Sequence, residues 1–252
     1  MKDKIELNSD AIMLRKRLGE DITSPLDIFG VLGKLENFTL VFYPFTERIS
    51  GMCIKLEQDM IVAINSTLSY GRQRYSAAHE LYHLFIQDGF LSTICEQNIE
   101  ADKSESEKEA DSFASYLLVP YDSLKDFITN TLKKRPLTLQ IEDVVRIEQY
   151  FQMSRQATLF RLLNDGYITR EAANTMKSNV VRSALRYGYN ASLYMPLPSS
   201  DRYMTTGEYI KLAEELKEKD QISDGKFEEL LLDAFRPDIV YGLDAAEVER
   251  YD

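Results

Sequence analysis

Cysteine is nearly missing from this sequence: Cys53 and Cys95 are the two in 252 residues. They stand far apart and form no CxxC pair, which excludes a disulfide framework and reads as two free thiols in a reduced, cytoplasmic compartment. Long hydrophobic runs are missing too. No stretch approaches the roughly 20 apolar residues that a membrane-spanning helix needs, so no membrane role is expected. The opening "MKDKIELNSDAIMLRKRLGED" is charged throughout and shows no secretory h-region. Internal repeats and low-complexity tracts are absent. Histidine is as scarce as cysteine, with two residues, and both fall in the ten-residue stretch "SAAHELYHLF" at 76–85.

What is present suits a folded protein. Hydrophobic residues make up 44% and aromatics 11%, enough for a sizeable core. The length fits a core domain with one or two smaller ones. The net charge of -11 is unevenly spread: 1–122 carries -8, 123–195 carries +5 and 196–252 carries -8. A basic middle between acidic flanks hints at a binding partner.

The pattern reads as α+β. "AIMLRKRLG" has helical spacing, and "SPLDIFGVLGKL" reads as a second helix opened by Ser24 before Pro25. "FTLVFYPF" and "ISGMCIKLEQDMIVAIN" read as strands of a small antiparallel sheet. The stretch around the histidines reads as a buried helix. A polar loop, "QDGFLSTICEQNIEADKSES", leads to another helix, "EKEADSFASYLLVP", which Pro120 stops. Everything beyond Pro120 reads helical. Two amphipathic helices over 141–169, with Ser154 as N-cap of the second, suit a helix-turn-helix-like domain. "MPLPSSDRY" at 195–203 is the best linker, and the acidic end reads as further helices. The expected domains are therefore 1–122, 123–195 and 196–252.

The chemistry lies in His79-Glu80-Leu81-Tyr82-His83. On a helix, positions i and i+4 sit about 40° apart, so both imidazoles can hold one metal ion. Chance gives two histidines this spacing, with glutamate after the first, on the order of once in a thousand shuffles. Zinc with three protein ligands lowers the pKa of a fourth, a water, to about 7. A neighbouring carboxylate, here Glu80, can then take a proton from that water and pass it to a leaving amine.

With no histidine left, the third ligand must be a carboxylate. The helix from Glu105 offers Glu105, Glu107, Glu109 and Asp111. On a 100° wheel Glu107 lies about 50° from the centre of the apolar stripe, and Glu105 and Glu109 lie more than about 100° from it. Glu107 is the better-placed ligand and Glu109 the alternative. Asp111, on the face of Glu107, is placed to accept a hydrogen bond from a ligand histidine.

"RQRYSAAHELYHLF" at 72–85, "EKEADSFASYLLVP" at 107–120 and an "SG…IVAIN" strand pair at 50–65 together resemble the ImmA/IrrE family of zinc metallopeptidases. The resemblance implies a zincin-like domain, Zn2+ as cofactor, and Glu107, the first glutamate of the "EKEADSFASYLLVP" segment, as third zinc ligand beside His79 and His83. It also implies a substrate: members typically cleave or inactivate a helix-turn-helix repressor encoded beside them, which relieves repression of a mobile element or of stress genes. Tyr82 stands where glycine is common, and Asp111 where asparagine is frequent. Neither departure removes a catalytic group.

Two functions of different class follow. The first is an intracellular zinc endopeptidase acting on a transcriptional repressor or antitoxin, with Glu80 as base. The second is a non-proteolytic regulator with a structural zinc, binding DNA or a repressor through the basic middle segment. There Lys133, Lys134, Arg135 and Arg146 are available, and Arg155 and Arg161 would lie on a recognition helix. Tyr70, Tyr75, Tyr82 and Tyr116 are candidate oxyanion stabilisers, with packing the ordinary role of each. The strand "MIVAIN" offers either an edge for an extended substrate or an interior strand.

Overall fold

In the computed structural model, residues 2–46, 48–96 and 104–242 are described. Helices α1 (Lys4–Arg17) and α2 (Ile28–Leu32) precede strands β1 (Phe38–Tyr43), β2 (Ile49–Leu56) and β3 (Asp59–Asn65). Then come α3 (Tyr70–Phe85), β4 (Ser92–Glu96) and α4 (Glu105–Leu118). α5 (Tyr121–Asp126) runs into a π-helical turn at Phe127–Thr131 and is followed by α6 (Ile141–Phe151), α7 (Arg155–Asn164), α8 (Arg170–Met176) and α9 (Val180–Arg186). β5 (Met204–Gly207), α10 (Glu208–Glu218), α11 (Asp224–Asp233) and α12 (Pro237–Tyr241) complete the described chain. The architecture is mixed α+β. Among the described residues, no helix is long and apolar enough to cross a membrane.

Two compact units form, and neither is continuous in sequence. One comprises Met1–Ile28, Leu68–Gly89 and Asn98–Pro196; the other comprises Phe29–Thr67, Phe90–Gln97 and Leu197–Asp252. The last crossing between them falls inside "MPLPSSDRY".

The second unit holds a five-stranded sheet in the order β4-β2-β3-β1-β5. β1 and β3 run parallel, with Phe38 opposite Met60 and Tyr43 opposite Asn65, and the other pairings are antiparallel. The sheet is therefore mixed, not antiparallel as the sequence suggested. "MIVAIN" lies on β3, the middle strand, bonded on both sides, so its backbone is not an edge open to a substrate. β4 arises within the stretch that reads as polar loop. Its partner β2 supplies the ladder that local composition cannot reveal, and 97–103 of that stretch lie outside the described residues. β5, in the part that reads as wholly helical, pairs with β1. It ends at Gly207 (φ 89), where a Cβ would fall 2.2 Å from the Phe38 carbonyl oxygen, so no other residue fits. Asn65 ends β3 and donates from Nδ2 to the carbonyls of Phe45, Thr46 and Ile49, which fixes that loop.

The first unit is helical. Asp3 caps α1 and forms a capping box with Glu6. The expected helix start at Ser24-Pro25 does not form. The Asp21 side chain instead accepts from Thr23 N and Ser24 N, and Arg15 donates to the carbonyls of Asp21 (2.7 Å) and Ser24 (3.0 Å). Helix begins only at Ile28. The Arg15 guanidinium also donates to Leu117 O (2.8 Å) and Leu118 O (3.3 Å), the last carbonyls of α4. Burial lowers its pKa to about 10, against the pull of Asp21 and Glu20.

Arg161 completes that capping from α7, donating to Ser115 O (3.0 Å) and Val119 O (2.7 Å) and lying 4.1 Å over the Tyr116 ring. It also pairs with Asp165 at 2.6 Å. Ser154 caps α7, and the start of α7 packs so closely on α3 that a Cβ at Gly71 would meet Ser154 N at 2.8 Å. Arg155 pairs with Glu148 of α6 and donates to Met176 O (2.7 Å) and Ser183 Oγ (2.8 Å). Arg155 and Arg161 are 3% and 2% exposed. They are internal braces, not the phosphate contacts expected of a recognition helix.

Candidate metal centre

α3 is buried along most of its length because its faces are almost all apolar or engaged. It presents His79 and His83 one turn apart toward α4. α4 starts at an S-x-x-E sequence, Ser104 to Glu107, which usually makes a reciprocal capping box. Only half of the box forms: Ser104 Oγ accepts from Glu107 N at 3.3 Å. The Glu107 carboxylate turns to the imidazoles instead, with His79 Nε2 to Oε2 at 3.2 Å and His83 Nε2 to Oε1 at 3.3 Å.

The two Nε2 atoms stand 3.3 Å apart. Each ring's other nitrogen is already committed. His79 Nδ1 donates to Asp111 Oδ1 at 3.1 Å, and His83 Nδ1 donates to Gln87 Oε1 at 2.5 Å. With both Nδ1 protons held outward, positive charge between Nε2 and Nε2 has to be a proton or a metal ion. A proton bridges two donors, but here three converge. A tetrahedral ion bonded at about 2.0 Å keeps its donors about 3.3 Å apart. The Nε2–Nε2 edge of 3.3 Å matches that spacing, and the 3.2 and 3.3 Å contacts to Glu107 end on different oxygens, so its carboxylate faces both rings. Within this unit the donors are two imidazoles and one carboxylate, a set that fits a divalent cation accepting nitrogen and oxygen.

Burial alone would raise the pKa of Glu107. Hydrogen bonds and charge from His79 and His83 outweigh it and hold the carboxyl well below the usual range, so Glu107 is an anionic donor. Its side chain is 23% exposed, against 7% and 2% for the two imidazoles, so the cluster opens on the carboxylate side. Glu80 is wholly buried on α3 beside His79.

Glu109 takes no part in the cluster. Its carboxylate accepts from Lys2 N–H at 2.5 Å and from the Tyr82 hydroxyl. Glu105 is exposed. Asp111 stands where the wheel put it. The tyrosines are engaged within the fold. Tyr75 donates to Asp111 O at 2.7 Å, Tyr116 lies under Arg161, and the Tyr70 ring packs on Arg74. Burial, with the bond to Glu109, pushes the Tyr82 hydroxyl well above its ordinary pKa, so it remains a donor. Gln87 went unnoticed in the sequence. The available signal was a polar side chain four residues after His83, able to fold back on it from just past the helix end.

No curated protein matches this chain. A family profile described as IrrE N-terminal-like domain (Peptidase_M78) matches residues 34–163, just over half of the sequence. The chain belongs to that family of metallopeptidases.

Proposed function

We propose that this protein is a zinc-dependent endopeptidase whose substrate is a partner protein, a helix-turn-helix repressor or antitoxin, and that cleavage relieves repression. The observation that carries the reading is the convergence of His79 Nε2 and His83 Nε2, 3.3 Å apart, on the two oxygens of the Glu107 carboxylate at 3.2 and 3.3 Å. Zinc held by these three residues supplies a Lewis acid and an acidified water. Asp111 and Gln87 keep each ring in the tautomer that offers Nε2. Glu80 accepts the proton of the attacking water on its carboxylate. It then delivers that proton to the amide nitrogen as the C–N bond breaks, so acid and carboxylate forms alternate in one cycle.

The choice of a repressor as substrate rests on the resemblance of the HELYH and E-x-x-x-D-x-F-A segments to peptidases that act on such partners. A DNA-binding role gains no support from Arg155 and Arg161, whose guanidinium groups are used internally. The test is Glu80→Gln incubated with the repressor encoded by the adjacent gene. One zinc per chain should persist while cleavage falls by about 10²–10⁴-fold. Undiminished cleavage would remove Glu80 from its role, and an intact repressor after incubation with the wild type would overturn the substrate.

A further inference from the structure

We propose that Tyr75 and Tyr82 are positioning residues for the metal centre: their hydroxyls strap α4 to α3 so that Glu107 and Asp111 reach the imidazoles. The inference rests on the zinc reading above and assigns work to side chains that touch neither metal nor substrate.

On a 100° wheel, Tyr75, His79, Tyr82 and His83 span about 100° of α3 and so share the face that α4 covers. The tyrosines bracket the first imidazole along that face. Tyr75 donates to the Asp111 carbonyl at 2.7 Å, directly at the residue whose carboxylate orients His79. Tyr82 donates to the Glu109 carboxylate, which leaves α4 about 160° from Glu107. The Tyr82 ring lies edge-on to His83 (5.6 Å between centroids) and packs on Phe113 at 5.6 Å. The second oxygen of Glu109 takes Lys2 N–H at 2.5 Å, so the start of the chain joins the same knot.

α4 is thus gripped at two points on different sides of its axis, an arrangement that resists rotation. Rotation is the motion the centre tolerates least. A carboxylate about 5.5 Å from a helix axis moves about 2 Å for a turn of 20°, a whole metal–ligand bond length. Apolar packing between α3 and α4 fixes their separation but is weakly directional; hydroxyl-to-carbonyl and hydroxyl-to-carboxylate bonds fix the angle.

The experiment compares zinc affinity, by chelator competition, and metal-free melting temperature in full-length wild type, Tyr82→Phe, Tyr75→Phe, Glu109→Ala and Glu109→Gln. Each tyrosine variant should weaken zinc binding about 10–100-fold, the range for groups that orient ligands. Glu109→Ala should match Tyr82→Phe, the pair should be non-additive, and Glu109→Gln, which keeps an acceptor, should recover most of the affinity. Cobalt-substituted Tyr82→Phe should show an altered ligand-field spectrum. Zinc affinity within twofold of wild type in both tyrosine variants overturns the proposal, and so does lowered metal-free melting temperature with unchanged affinity. A wild type that binds no zinc overturns the metal reading itself, a result distinct from either.

Discussion

Two helix pairs in the same unit bury ionisable side chains, and they do so in opposite ways. Between α6 and α7, the Glu148 carboxylate meets the Arg155 guanidinium, and the Tyr194 hydroxyl donates to it at 2.7 Å. Burial raises the pKa of Glu148, and Arg155 and Tyr194 oppose that rise. The chain supplies both signs of charge. Between α3 and α4, two imidazoles and a carboxylate converge, and the orienting partners Asp111 and Gln87 are acceptors. The Nε2 atoms and the Glu107 carboxylate suit a cation from outside the chain. The first pair is complete as folded, whereas the second is built to take a ligand.

The comparison can be broken at either end. The largest effect is expected from His83→Ala, which should abolish zinc binding and peptidase activity while leaving metal-free circular dichroism unchanged; retained stoichiometric zinc would show that the donors lie elsewhere. Glu148→Ala should do the reverse. Stranding the Arg155 cation should cost about 3–5 kcal/mol in urea denaturation, with zinc affinity of the folded fraction unaltered. Replacing both partners by apolar residues should recover much of that loss. The two orienting acceptors should differ from each other. Asp111→Ala should weaken zinc binding toward the upper end of about 10–100-fold and Gln87→Ala toward the lower end, because a charged acceptor makes the stronger bond. Stability responds as well: zinc at a hundred times its Kd should stabilise the protein by about 2.7 kcal/mol. Calorimetry of His83→Ala should show no such gain.

How far the sequence reveals these features depends on how local their causes are. The pairing of His79 with His83 and the preference for Glu107 over Glu109 follow from helix periodicity within single segments, and the structure places His79, His83 and Glu107 in contact at 3.2 to 3.3 Å. Gln87 was hidden because it lies just past the helix end, where periodicity no longer predicts direction. β4 and β5 are short strands with weak patterns of their own, specified by partners far away in sequence. The parallel register of β1 and β3 is likewise a property of the assembled sheet. Arg155 and Arg161 look like surface charge on an amphipathic helix. Only tertiary structure supplies the Glu148, Asp165 and carbonyl acceptors that bury them.

The capping of α4 by Arg15 and Arg161 has a consequence for which changes of length the protein tolerates. The helix is anchored at its end by guanidinium groups on Ser115, Leu117, Leu118 and Val119, and at its start by the Glu107 carboxylate. Inserting or deleting one residue between these anchors would turn one end against the other by about 100° and shift it by about 1.5 Å. Substitutions on the outer face of α4 leave that phase untouched. Relatives that keep the chemistry should therefore vary in composition on the outer face of this helix and hardly at all in the count of residues from the third donor to the proline that follows it.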